Sequence, residues 1–167
     1  MPYFIIISGP LGVGKTTIAK RLSKILTAEY FPIDVVLHNN DLDKVNKDSE
    51  GISLANFLKA DELILPKIVE SLKNDKTVIL DACFYHKAHI EHLVNSLQYP
   101  NYVFSLKAPL ETCIKRDGKR KKSYGQDAAA AVYTLVSRFE YGISIDTKDK
   151  NTDQIINEVL SYLKPNH

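Results

Sequence analysis

Short apolar runs alternate with amphipathic stretches along the whole chain. The runs are rich in β-branched residues and too short to form core helices, which favours strands. They are apolar at consecutive positions, a pattern typical of parallel strands that are covered on both faces. We predict five strands from them, within Tyr3–Ser8, Ile33–His38, Thr77–Ala82, Asn101–Ala108 and Ile143–Thr147.

The stretches between these runs have helical spacing. In the first, Ile18, Leu22, Ile25 and Leu26 recur at intervals that form one buried helix face. A Ser-x-x-Gln pattern at Ser123 predicts a capping box at a helix start. The helical stretches are 14–30, 53–76, 86–97, 109–118, 123–142 and 151–165. Pro66 is expected to begin a second helix within 53–76, and Pro109 lies in the first turn of 109–118. The last stretch has a capped start, and Pro165 is expected to end it.

Strands that alternate with helices predict the fold class. Successive parallel strands need crossover connections, and these are right-handed in nearly all proteins. We therefore predict an α/β protein of three layers, with a parallel sheet of about five strands and helices on both faces. A length of 167 residues is typical of one domain, so we assign residues 1–167 to a single domain.

Composition argues against several kinds of partner, metal site and cellular location. A net charge of +2 is too small to indicate a polyanionic partner, so we expect no nucleic acid as a general partner. The two cysteines, Cys83 and Cys113, have no neighbours at metal-ligand spacing and indicate reduced thiols. No segment is long and apolar enough for a signal peptide or a membrane span, and we expect a cytoplasmic protein with no membrane partner.

The stretch Gly9–Thr17, GPLGVGKTT, joins the first predicted strand to the first predicted helix. It satisfies the pattern G-x-x-x-x-G-K-[ST] in the context that this motif requires. Glycines let successive backbone N–H groups point at phosphate oxygens, and the helix start adds its positive dipole end. We therefore expect a P-loop NTPase fold whose nucleotide is held by Gly9, Gly12, Val13, Gly14, Lys15, Thr16 and Thr17.

Within this loop, two side chains have separate expected roles. Lys15 brings a point charge to the β- and γ-phosphates, and the Thr16 hydroxyl is a ligand for Mg²⁺. ATP and Mg²⁺ are thus the expected cosubstrate and cofactor. A GTP-binding switch is excluded, because the nearest Asn-Lys-x-Asp string begins at Asn46 and has Ser49 in its fourth position.

Four stretches together carry a resemblance to a known family: 9–17, 78–82, 106–117 and 143–160. In these, the chain resembles the adenylate-kinase-like P-loop kinases, particularly the adenylylsulfate kinase and zeta-toxin-like branch. The resemblance is incomplete, since Ala82, Cys83 and Phe84 stand where adenylylsulfate kinase has its functional serine motif. We therefore do not transfer that enzyme's substrate to this protein.

The resemblance implies two functional carboxylates. Asp81 ends an apolar strand and matches the Walker B position, which holds Mg²⁺ directly or through water. The alternative interpretation is that Asp81 only begins a loop or caps the next helix. Asp41 follows the second predicted strand and matches the residue that orients or deprotonates the acceptor hydroxyl. Helix capping is one alternative for Asp41, and Asp43 in the same catalytic role is another.

A basic stretch at 116–125 matches the small lid of these kinases. Arg116 and Arg120 lie four residues apart, with Lys119 beside them, and lid arginines offset the charge that develops on the transferred group. The resemblance further implies that adenine lies between Arg116 and the loop Thr147–Lys150. A solvated basic loop and a nucleic-acid patch are the alternatives.

The acceptor half of the sequence, from Asp41 to Pro100, contains no arginine. Acceptors that carry a phosphate or carboxylate are usually bound by the planar arginine fork, so we expect a neutral polyhydroxy compound, a nucleoside or an amine.

His86, His89 and His92 spread too far around one helix to bind a metal together. Other polar candidates on the acceptor side are Asn39, Asn40, Asp43, Asp48, Tyr85 and His86.

These features predict an enzyme of defined class. We expect an ATP- and Mg²⁺-dependent phosphotransferase that transfers the γ-phosphoryl group to a hydroxyl of a small metabolite, such as a polyol, sugar, nucleoside or amino alcohol. Lys15, Asp41, Arg116 and Arg120 are the expected catalytic residues. Two alternatives remain open: a nucleotide or polynucleotide 5′-hydroxyl kinase, and a non-catalytic nucleotide-binding regulatory protein.

Overall fold

A computed structural model describes residues 1–45, 50–121 and 123–163. The five strands are β1 Phe4–Ser8, β2 Glu29–Pro32, β3 Val78–Ala82, β4 Asn101–Lys107 and β5 Ile143–Asp146. The seven helices within the described ranges are α1 Lys15–Ile25, α2 Ile33–Asn39, α3 Leu54–Lys73, α4 Lys87–Leu97, α5 Leu110–Gly118, α6 Gln126–Val136 and α7 Thr152–Tyr162.

All five strands form one parallel sheet in the order β2-β3-β1-β4-β5. β1 lies at the centre, where Ile6 pairs with Leu80 of β3 on one side and Val103 of β4 on the other. This arrangement confirms the predicted five-stranded parallel α/β fold. Because the strands run parallel, their carboxyl ends share one edge, and the loops that follow them meet there.

Two hydrophobic cores lie on opposite faces of the sheet. Phe4 and Ile6 of β1 point to one face, where they pack with buried residues of α2, α3 and α4. Ile5 and Ile7 point to the other face, where they pack with α1 and α7. Consecutive residues of β1 are therefore buried on both sides, which explains its unbroken apolar sequence and confirms the three layers.

The second predicted strand is wrong. Residues Ile33–Asn39 form helix α2, and the strand that precedes it is Glu29–Pro32, whose first two residues were predicted to end the first helix. Ile33 and Leu37 are the buried residues of α2, and their spacing of four is helical. The strand is short and only half-buried because it lies at the sheet edge, where Pro32 is tolerated.

Helix α3 also differs from the expectation. It runs unbroken through Pro66 for 20 residues, so Pro66 does not begin a new helix. Phe57, Ile64 and Ile68 form a continuous buried stripe, and this tertiary packing offsets the roughly 3 kcal/mol that a proline costs inside a helix. Among the helices of the described ranges, neither α3 nor any other has the length and apolarity to cross a bilayer.

The two predicted caps at helix starts have opposite outcomes. At α7, Asn151 and Gln154 each bond to the other's backbone N–H, which confirms the capped start. At α6, Gly125 is the N-cap, and the Ser123 hydroxyl instead donates to Asp117, so that capping box is wrong. The predicted stop at Pro165 lies outside the described residues.

Candidate active site

The loop between β1 and α1 has the backbone shape that its glycines allow. Gly14 precedes α1 with a φ of 104°, and Gly12 has a φ of 80°, both in the left-handed region. A Cβ atom on Gly12 would lie 2.1 Å from the Cys113 carbonyl oxygen. Any side chain at Gly12 would therefore push the loop away from helix α5.

Lys15 is the first residue of α1 and is almost fully buried, with 7% of its surface exposed. Its ammonium group donates a hydrogen bond of 2.9 Å to the Pro10 carbonyl oxygen, across the loop. Burial acts to lower the Lys15 pKa, but the neighbouring Cys83 and Asp34 side chains raise it further than burial lowers it. Lys15 thus remains a cation that is held inside the loop.

A cavity of about 350 Å³ opens in front of this loop. Backbone and side chains of the helix start form one wall, and two arginines from the end of α5 and the residues beyond it form the other. This combination of a helix N-terminus with cations suits a chain of phosphate groups. The described lining residues are Gly12, Gly14, Lys15, Thr16, Thr17, Arg116 and Arg120.

Arg116 connects the phosphate loop to the loop after β5. Its guanidinium donates to the Val13 carbonyl oxygen at 3.3 Å and to the Thr147 hydroxyl and carbonyl oxygens at 3.0 and 3.1 Å. Thr147 is fully buried and in turn donates to the Lys107 carbonyl oxygen at 3.0 Å. Arg116 is thus bonded directly to Thr147, the first residue of the loop that was expected to hold the adenine together with Arg116.

Asp117 organises the basic segment and was missed by the sequence analysis. It is buried at the end of α5, where its carboxylate accepts hydrogen bonds from the Ser123 hydroxyl and the Tyr124 backbone N–H. Arg120 lies 3.8 Å from its other oxygen. Asp117 thereby folds the segment after α5 back on itself, with Arg120 at the phosphate cavity. Lys122 of the predicted lid lies outside the described residues.

Asp81 lies in β3 beside the phosphate loop and is buried. Its carboxylate accepts a hydrogen bond of 2.6 Å from the Tyr30 hydroxyl of β2, and Thr16 lies close enough to the same hydroxyl to act on its pKa. Burial raises the Asp81 pKa to about 6, although Tyr30 and Lys15 act in the opposite direction. Hard oxygen donors from Thr16 and Asp81 in one place fit Mg²⁺, which prefers such ligands.

The structure removes the geometric reason for choosing Asp41. That residue lies after helix α2, has a φ of 56° and is exposed, with its carboxylate 3.7 Å from the Lys44 ammonium group. It therefore does not follow the second strand. Asp34 does: it lies two residues beyond the end of β2, in the first turn of α2. The i, i+4 spacing of Ile33 and Leu37 was the sequence signal that could have revealed this.

Asp34 faces the cleft beside the phosphate loop. Its side chain is open to solvent there, yet the surrounding protein raises its pKa through desolvation, while the charge of Lys15 acts to lower it. The charges of Asp34 and Asp81 in turn raise the Lys15 pKa. A carboxylate with a raised pKa in such a cleft is a candidate proton acceptor.

A larger cavity, of about 870 Å³, extends from Asp34 toward α6. Its size is within the range of roughly 300–1,000 Å³ that is usual for small-molecule sites. The described lining residues include Leu11 of the phosphate loop, so the cavity adjoins the place where a γ-phosphate would lie. The others that matter here are Asp34, Leu37, His38, Asp43, Glu50, Cys83, Tyr85, Tyr124, Val132, Leu135 and Arg138.

Two of the three histidines in the α4 region, His86 and His89, have different hydrogen-bond partners. His89 is fully buried and its Nε2 lies 2.8 Å from the Asp61 carboxylate, between the rings of Phe57 and Phe84. His86 precedes α4 and its ring contacts the Ile52 carbonyl oxygen at 3.2 Å. Within the described ranges, no group of three or more His, Cys, Asp or Glu residues is arranged to hold a metal ion.

Solved structures with the same fold place this architecture among the P-loop kinases. A gluconokinase from Sinorhizobium meliloti 1021 is 18% identical with a TM-score of 0.70, over 97% of this chain and 91% of that one. A sugar kinase from Janibacter sp. HTCC2649 is 16% identical with a TM-score of 0.76, over 98% and 95%. Deoxyadenosine kinase from M. mycoides is 19% identical with a TM-score of 0.55, over 96% and 97%. The protein has a P-loop kinase-like fold, as its sequence predicted.

Within that class, the chain belongs to the family described as "Chromatin associated protein KTI12", whose model matches residues 1–151. This match covers the phosphate loop, Asp34, Asp81, both arginines of the basic segment and the loop after β5. No curated protein sequence matches the chain.

Proposed function

We propose that the protein is an ATP- and Mg²⁺-dependent phosphotransferase that acts on a hydroxyl group of a small molecule. The observation that supports this most is that the phosphate loop lines two cavities: Gly12 and Lys15 line the cationic one, and Leu11 lines the larger one together with Asp34. A kinase needs a donor site and an acceptor site that meet at the γ-phosphate, and the charges of Lys15 in the first cavity and Asp34 in the second act on each other.

The proposed reaction is an in-line transfer. The acceptor oxygen forms a bond to the γ-phosphorus, the bond from that phosphorus to the bridging oxygen breaks, and ADP leaves with the electron pair. Asp34 accepts the proton of the acceptor hydroxyl, and its raised pKa makes it a better base than an ordinary surface carboxylate. Asp34 replaces Asp41 as the proposed acceptor-side carboxylate.

The remaining charged groups stabilise the phosphates. Lys15 and Arg120 line the phosphate cavity and would offset charge that develops on the transferred group. Arg116, held by Val13 and Thr147, would fix the nucleotide between the two loops. Mg²⁺, held by Thr16 and Asp81, would neutralise phosphate charge when bound.

The direct test is product formation from ATP, monitored by ³¹P NMR with small hydroxyl compounds as acceptors. Lys15→Ala should reduce transfer at least about 100-fold, because the charge at the β- and γ-phosphates is lost. Lys24→Ala, near the exposed end of the same helix, is the matched control and should retain wild-type activity. Equal activity of the two variants would contradict the P-loop role.

The family description supports a second candidate, a nucleotide-binding regulatory protein whose closure is recognised by a partner. The same experiment separates the two. A kinase shows ATP turnover that rises when one acceptor is added, whereas a regulatory protein binds MgATP with turnover that no small acceptor stimulates. Stimulation by an oligonucleotide alone would instead indicate a polynucleotide kinase. The cytoplasmic location expected from the sequence stays a prediction.

A further inference from the structure

The larger cavity has mostly apolar walls. Leu37 of α2 forms one side, and Val132 and Leu135 of α6 form the other, all buried or nearly so. Tyr85 contributes a ring that is fixed edge-on against Phe57, with centroids 5.4 Å apart. A molecule that fills this cavity must bury its own surface against hydrocarbon and an aromatic ring.

The wall beside Tyr85 is closely packed. A Cβ atom built on Gly51 would lie 2.8 Å from Leu135 and 3.0 Å from Tyr85. Gly51 therefore packs closely against Leu135 of α6 and Tyr85, which both line the cavity. This part of the wall offers hydrocarbon and an aromatic face to a bound molecule, and a hydroxyl group placed against it would have no hydrogen-bond partner there.

The basic groups at the cavity already have partners. Arg138 is the one lysine or arginine among the described lining residues, and its guanidinium lies 2.7 Å from the Glu50 carboxylate at the exposed rim. His38 lies 2.8 Å from the Asp43 carboxylate, also at the surface. Among the described residues of the lining, carboxylates thus outnumber cations, which disfavours an acceptor that carries a phosphate or carboxylate group.

From this we propose that the acceptor is a neutral or cationic hydroxyl compound built on an apolar ring, of about nucleoside size. The ring packs against Tyr85, Val132 and Leu135, and the hydroxyl lies at Asp34. Polyols and sugar acids are disfavoured, since each hydroxyl group that they place against this apolar wall would be buried without a hydrogen-bond partner, at a cost of about 1–3 kcal/mol. This assignment rests on the proposed function, because it assumes that the cavity is the acceptor site.

Isothermal titration with the full chain, saturated with Mg²⁺ and a non-hydrolysable ATP analogue, tests this. The ring-bearing probes are adenosine, cytidine and phenylalaninol, and the polar or anionic probes are sorbitol, gluconate, AMP and a dinucleotide. At least one ring-bearing probe should bind about tenfold more tightly than every polar or anionic probe. Tightest binding by a polar or anionic probe, or binding by none of the probes, would overturn the assignment.

A pair of variants on helix α6 tests whether the ring contacts the proposed wall. Val132→Thr keeps the shape but places a hydroxyl in the cavity, and should weaken binding of the ring-bearing probe about three- to tenfold. Val136→Thr makes the same change one turn further on, where the side chain does not line this cavity, and should alter binding less than twofold. Equal effects of the two changes would contradict the proposed contact.

Failure of this assignment differs from failure of the proposed function. If the protein phosphorylates gluconate or sorbitol with MgATP, the proposed phosphotransferase activity is supported and the ring-bearing acceptor class is wrong. If a ring-bearing probe binds with the predicted Val132 sensitivity and no phosphorylated product forms, the cavity assignment stands and the transfer reaction is wrong.

Discussion

At the scale of single residues, the site depends on contacts between side chains that are far apart in the sequence. Tyr30 and Asp81 are 51 positions apart, and Arg116 and Thr147 are 31 apart. The phosphate-loop residues and Asp81 could be predicted, because a local motif and a strand end identify them. Tyr30 and Asp117 could not, since their roles exist only through partners that the folded chain brings to them. Asp34 was missed because a short apolar run does not distinguish a strand from a helix.

The Tyr30 hydroxyl should position Asp81 for Mg²⁺, since it donates to that carboxylate. Removing this hydrogen bond with Tyr30→Phe should weaken Mg²⁺ binding about tenfold, as is typical when a partner of a metal ligand is lost. The measurement is the Mg²⁺ dependence of ATP-analogue binding, by calorimetry. Tyr102→Phe, which removes a hydroxyl elsewhere on the same core face, should leave this dependence unchanged. An unaltered dependence in Tyr30→Phe would exclude the positioning role.

At the scale of elements, edge strand β2 is short and depends on side-chain contacts as well as on its pairing with β3. Glu29 begins the strand and accepts hydrogen bonds from Ser71 of α3 and from Lys76, which precedes β3. Burial of Tyr30 against the core adds to this. The sequence predicted the four other strands, but β2 has little apolar signal of its own because it is half-buried at an edge.

The Glu29 contacts should make part of the stability depend on pH. The hydrogen bond from Lys76 lowers the Glu29 pKa, so the folded state favours the charged form. The stabilisation is complete above the ordinary Glu value and is lost as pH falls through the lowered pKa. Glu29→Gln should reduce the free energy of unfolding by about 1 kcal/mol or less at pH 7, because the pair is partly exposed.

Urea denaturation at several pH values measures this. The difference between wild type and Glu29→Gln should be largest near pH 7 and should shrink as pH falls below the ordinary Glu range. A difference that does not change with pH would show that the charge of Glu29 is not what stabilises β2.

Helices α3 and α4 are joined by the buried pair of Asp61 and His89. Asp61→Ala should destabilise the protein by about 3–5 kcal/mol, because it leaves the His89 ring buried without its partner. The double variant Asp61→Leu with His89→Phe removes both polar groups and should be less destabilised than the single variant. Thermal and urea unfolding provide the comparison. A double variant that loses as much stability as Asp61→Ala would contradict this explanation.

At the scale of the whole molecule, the parallel sheet brings three chain segments to one edge. The phosphate loop after β1, Asp34 after β2 and Asp81 in β3 meet there, and the basic segment after α5 lies across from them. This convergence could be predicted from the alternation of strands and helices. The shape and charge of the acceptor cavity could not, because its walls come from α2, α6 and the residues around Gly51, which no local pattern relates to one another.

The central claim is that Asp34, which lines the larger cavity together with Leu11 of the phosphate loop, is the base for phosphoryl transfer. The most direct measurement compares the transfer rate of Asp34→Asn with that of Asp41→Asn, with MgATP affinity measured in parallel. Asp34→Asn should lose transfer by about 10²–10⁴-fold with little change in MgATP affinity, the usual range for a general base. Asp41→Asn, at an exposed position after α2, should retain the wild-type rate. Full activity in Asp34→Asn, or the large loss in Asp41→Asn instead, would contradict the account.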